Sequence, residues 1–70
     1  MRFGNILQGL MEKNNVSPGQ FAQAMHISRS MLDRFTRNLW EPNFTMLKRI
    51  ADYFHVSIDY LLDYHLEDYI

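Results

Sequence analysis

Apolar residues recur three and four positions apart in five groups along this chain, and nowhere alternate with polar ones long enough for a strand. The pattern predicts an all-α chain of five helices joined by short connections. The first helix is expected from about Phe3 to Asn14, with Phe3, Ile6, Leu7, Leu10 and Met11 on one stripe and Asn14-Asn15 as the turn that ends it. The second follows Ser17 and opens on Pro18, a position where the missing N–H costs nothing. The third opens at Arg29. The fourth, from about Phe44, follows Pro42 and an Asn43 cap and carries Phe44, Leu47, Ile50, Ala51 and Phe54 on one face.

The helix starts share a local grammar. Ser17 and Gln20 fit a capping box, and Val16 before the cap with Phe21 after it fits a hydrophobic staple. Ile27-Ser28 with Leu32, and Val56-Ser57 with Leu61, repeat that arrangement. The longest irregular connection runs from Arg37 to Pro42 with Trp40 in its middle, and Glu41, preceding a proline, is kept out of helical angles. The fifth helix carries Ile58, Leu61, Leu62, His65 and Tyr69 on one stripe, longer than a small core needs, and its outer part is a candidate for homodimerisation or for a protein partner. Residues 1–66 are expected to form one domain and residues 67–70 a short tail.

Composition narrows the class. A chain of 70 residues, 47% of them hydrophobic, suffices for one small core and leaves no room for a separate effector domain. It contains no cysteine, which removes disulfides and thiolate zinc sites and suits a reducing cytoplasm. Gly4, Asn5, Gln8 and Gly9 interrupt the N-terminus, so no signal peptide is expected, and nothing approaches the ~20 apolar residues of a membrane span. No enzyme, cofactor or metal site is expected either. His26, His55 and His65 are too scattered for a zinc spacing, there is no glycine-rich phosphate loop, and Asp52 with His55 reads better as a surface pair and helix cap than as ligands.

The net charge of −1 hides an asymmetry. From His26 to Arg49 there are five basic residues against Asp33 and Glu41, whereas Ile50 to Ile70 holds five acidic residues and no Lys or Arg. One surface therefore suits a polyanion and another avoids it. At about 100° per residue, Arg29, Ser30, Asp33, Arg34 and Arg37 fall within about 140° of one another, with Met31, Leu32 and Phe35 on the opposite side. Such a helix buries one face and offers the other to a groove, where arginine can bridge guanine O6 and N7, serine can meet several bases, and aspartate can accept from cytosine N4. Asp33 also stands four residues from both Arg29 and Arg37, so it fits a role orienting their guanidinium groups better than a reading role. Ala22, between Phe21 and Met25, keeps the second helix close to the third.

Taken in order, Val16-Ser17 with Gln20-Phe21-Ala22, Ile27-Ser28-Arg29-Ser30 with Leu32 and Arg34-Phe35, Glu41-Pro42, Leu47 with Ile50-Ala51, and Val56-Ser57-Ile58-Asp59 with Leu61-Leu62 resemble the lambda-repressor-like, Cro/repressor-type (Xre-type) transcription regulators. The resemblance covers about Phe3 to Leu62. It implies a compact, all-α, five-helix DNA-binding domain whose helix-turn-helix is formed by the second and third helices, with residues 29–36 as the recognition helix in the major groove. Arg29, Ser30 and Arg34 would then occupy base-contacting positions with Asp33 among them, and Ser17 and Ser28 would meet phosphates at helix starts. Arg37, Asn38 and Asn43 would add backbone contacts. The implied partner is double-stranded DNA, bound sequence-specifically by a small repressor-like regulator acting as a homodimer on a palindromic operator, with half-sites about 34 Å apart.

The chain also departs from that family. Pro18 stands where glutamine is common, which removes a polar group that often faces phosphate, and His26, Asn38 and His55 stand where glycine is usual. Pro18, Asp33 and the acidic, tyrosine-rich last third keep an alternative open: a domain of this fold that contacts protein, as an anti-repressor, an antitoxin-like module or a sequestering partner.

Overall fold

In the computed structural model, which describes residues 3–62, the helices are α1 (Phe3–Lys13), α2 (Pro18–Met25), α3 (Arg29–Thr36), α4 (Phe44–Phe54) and α5 (Ile58–Leu61). The described residues are all-α, in the expected five helices. The last four helices each begin on a side chain that accepts the N–H three residues on: Ser17 from Gln20, Ser28 from Met31, Asn43 from Met46 and Ser57 from Tyr60. At α2 the box closes both ways, because the Ser17 N–H donates to Gln20 Oε1 at 2.9 Å.

The helix ends are equally uniform. Asn15, His26, Asn38 and His55 all adopt left-handed angles, with φ between 57° and 60°. After each, the next N–H reaches back five residues: Val16 to Met11 O (2.8 Å), Ile27 to Ala22 O (3.0 Å), Leu39 to Arg34 O (2.9 Å) and Val56 to Ala51 O (3.0 Å). These are Schellman closures, which satisfy carbonyls that a helix end leaves unpaired. Val16, Ile27 and Val56 pack against the core and directly precede the capping serines, so each closes one helix and staples the next. Leu39 has no such second role and is 62% exposed.

The core is built from the predicted stripes of all five helices, with Phe3, Leu7, Phe21, Ile50 and Leu61 at 1% exposure or less. One stripe member differs from expectation. Phe44 is 66% exposed, although it lies in register with Leu47 and Ala51. Phe3, likewise the first residue of its helix, is covered by Phe35, so burial at a helix start is decided by what packs beside it and not by spacing. His65, Tyr69 and the expected domain boundary after residue 66 lie outside the described residues. Among those described, no helix is long and apolar enough to cross a membrane.

Gly4 is buried for a reason that its own neighbourhood in sequence does not disclose. A Cβ there would sit 2.5 Å from the carbonyl oxygens of both Phe35 and Thr36. Those are backbone atoms that cannot step aside. Gly9, by contrast, has nothing within 4 Å of a Cβ. Gly4→Ala is expected to destabilise the domain by about 1–3 kcal/mol through overpacking, whereas Gly9→Ala should stabilise it by roughly 0.5–1 kcal/mol through helix propensity. Thermal unfolding of the two variants checks this, and equal midpoints would disprove the close approach.

Candidate nucleic-acid interface

The third helix is held from two sides. Toward α2, Phe21, Ala22 and Met25 are buried together with Leu32 and Phe35, and Phe21 is itself stacked on Phe54 of α4 with ring centroids 5.6 Å apart. Toward α1, Phe3 meets the edge of Phe35 at 6.0 Å, and the Gly4 N–H donates to Asn38 Oδ1 at 2.7 Å. Asn38 thus satisfies a first-turn N–H of α1 from the far end of α3. Its left-handed backbone aims the short side chain there, and its Nδ2 lies 3.4 Å from Asn5 Oδ1.

With Leu32 and Phe35 buried, Arg29, Ser30, Asp33, Arg34 and Arg37 are all exposed. Three different surroundings set the three arginines. Arg37 Nη1 donates to Asp33 Oδ2 at 3.3 Å, an exposed i,i+4 pair that orders the side chain but contributes little stability. Among the described residues Asp33 makes this bond to Arg37 and none to Arg29, so one of its two expected partners is found. Arg29 lies against the first turn of α2, its Nη1 3.9 Å from where a Cβ on Gly19 would be. With Pro18 and Asp33 it lines a cavity of about 330 Å³ that reaches Gln8 and Glu12 of α1. Arg34 takes a third arrangement: its guanidinium carbon is over the Trp40 ring, 4.6 Å from the centroid.

The expected phosphate-facing residues are exposed as well, and they carry structural bonds. The Ser17, Ser28 and Asn43 side-chain oxygens accept from Gln20 N (3.1 Å), Met31 N (3.0 Å) and Asn43's partner Met46 N (2.8 Å). Each serine hydroxyl retains its proton, and Asn43 its amide N–H groups, as donors. Pro18 contributes no N–H at the start of α2, which leaves Gly19 as the outward backbone donor there.

Sequence reading names Gly4 and Trp40 without giving either a role at this face. A pair 34 residues apart, such as Gly4 and Asn38, has no periodic signature. Trp40 carried a weak one, an aromatic residue just past the end of an arginine-bearing helix.

Two short helices crossing at a tight turn, the second with a buried apolar face and an exposed arginine face, define a helix-turn-helix domain. Residues 7–61 match the protein-family model described as Helix-turn-helix, and the chain belongs to that family. The HTH-type transcriptional activator BcrR of Enterococcus faecalis is 34% identical over 62 residues, covering 89% of this chain and 30% of that protein. The chain therefore spans less than a third of the length of that curated relative. No solved structure matches it.

Asn38 has two separable structural tasks. Asn38→Gly keeps the left-handed turn and loses the side-chain bonds to Gly4 and Asn5, the second long and exposed, at an expected cost of about 1 kcal/mol. Asn38→Ala also strains the turn and should cost about 1 kcal/mol more. Urea midpoints at unchanged slope measure both, and equal losses would sink the assignment.

Proposed function

We propose that this domain binds double-stranded DNA sequence-specifically as part of a transcriptional regulator of repressor-like architecture, with α3 in the major groove. The carrying observation is the exposed face of Arg29, Ser30, Asp33 and Arg34, set opposite buried Leu32 and Phe35 on a helix fixed against both α1 and α2. A reading helix must hold its base-facing groups in one orientation, and that fixation supplies it. Membership of the helix-turn-helix family and likeness to a protein named as a transcriptional activator support the same reading.

In this reading Arg29, Ser30 and Arg34 meet base edges, with Asp33 among them as orienter of Arg37 and candidate acceptor from cytosine. The Ser17 and Ser28 hydroxyls, the remaining amide N–H groups of Asn38 and Asn43, and the Arg37 guanidinium meet phosphates and fix the register. In this reading the site of action is the cytoplasm. A homodimer on a palindromic operator would place two α3 helices about 34 Å apart, one turn of the duplex.

Selection from a random duplex pool is the direct test. On the selected site, Arg34→Ala or Arg29→Ala should cost about 1–3 kcal/mol and relax the base preference at one position. Arg37→Ala should weaken every sequence alike and lower the salt slope by about one unit. Sedimentation with the selected duplex should show two chains per operator, and a single chain at high micromolar concentration would remove the dimer.

A second reading has one observation in its favour. Leu39, on the connection that follows α3, and Phe44, the first residue of α4, are 62% and 66% exposed, as a protein-contacting module of this fold would present them. Retrieval of no duplex at any salt concentration would put that reading in place of the first.

A further inference from the structure

Resting on that DNA-reading role, we propose that Trp40 is a positioning residue that holds the Arg34 guanidinium ready for a base edge and so sets specificity at one base pair. Local backbone geometry brings the two together. Asn38 turns the chain left-handed and the Leu39 N–H closes on Arg34 O at 2.9 Å, which returns residue 40 to the side of residue 34. The Trp40 ring is anchored from below, its edge against Phe35 with centroids 6.5 Å apart, and Phe35 is buried. Arg34 then lies over that ring, 4.6 Å from its centroid.

The consequence follows from how each arginine is held. Arg37 is ordered by a carboxylate, which engages one of its donors. Arg34 is ordered by a ring face, and no hydrogen bond among the described residues uses its N–H groups. An arginine side chain loses on the order of 2 kcal/mol of rotamer freedom when it is fixed. A stacked guanidinium has given up part of that freedom before DNA arrives and keeps its donor fork available for guanine O6 and N7. Trp40 is 44% exposed, so the platform stands at the surface where Arg34 works.

The test compares Trp40→Leu, which keeps apolar bulk on Phe35 and removes the ring face, with Trp40→Phe, which keeps a ring face. For each variant the ratio of affinities for the selected and a scrambled duplex is measured, a ratio that any loss of folded fraction leaves unchanged. Trp40→Leu should lower the ratio about two- to fivefold, the range of an exposed cation–π contact, and relax preference at the base pair that Arg34→Ala also relaxes. Trp40→Phe should retain most of the ratio, and Trp40→Leu should have no further effect in an Arg34→Ala background. An equal effect in that background, an unchanged ratio in Trp40→Leu, or equal losses from the two Trp40 variants would overturn the proposal while the DNA-reading role stands. A wild-type chain that selects no duplex would overturn both.

Discussion

The approach of α1's first turn to the end of α3 is the constraint on which the arrangement depends. Gly4 has no side chain because the Phe35 and Thr36 carbonyls occupy the place where one would be. The contact brings the positive end of one helix dipole to the negative end of another, a favourable pairing that needs no charged residue. Asn38 completes it by accepting the Gly4 N–H. The residue that ends α3 therefore also satisfies the first turn of α1, and α3 cannot rotate without breaking that bond. Its orientation is a property of the whole domain.

The remaining connections show how a chain of 70 residues with no cysteine keeps its geometry. A left-handed residue, an apolar residue and a serine join α1 to α2, α2 to α3, and α4 to α5. In each the backbone polar groups are satisfied within a few residues and the apolar side chain serves two helices. Asn15, His26 and His55 hold angles that glycine would adopt more cheaply, so the chain forgoes some local stability at each of them.

What was legible in the sequence divides along the range of the interaction. The caps at Ser17, Ser28, Asn43 and Ser57, the staples and the core stripes act over five residues or fewer, and a linear pattern records them. The histidines at helix ends could be placed for the same reason. Phe44 shares the apolar face of its helix and is nonetheless exposed, because spacing alone does not say which part of a helix the rest of the chain covers. The arginine face was legible as a face, and all its members are exposed. How each arginine is held was not, since the choice among carboxylate, ring and neighbouring helix depends on where the chain returns after Asn38. Asp33 illustrates the limit: spacing allowed two partners, and the three-dimensional arrangement engages Arg37.

A residue shared by two helices also makes their melting one event. Loss of α2 removes the staple that Ile27 provides to α3, and loss of α1 frees Val16 from α2, so these side chains couple neighbouring helices in addition to the shared core. Between α3 and α4 no side chain is shared in this way: Leu39 closes α3 and faces water, and four residues pass before Phe44 opens α4. That stretch is the one helix connection after α1, among the described residues, whose closing apolar residue serves a single helix, and it borders the helix whose outer face is the candidate reader.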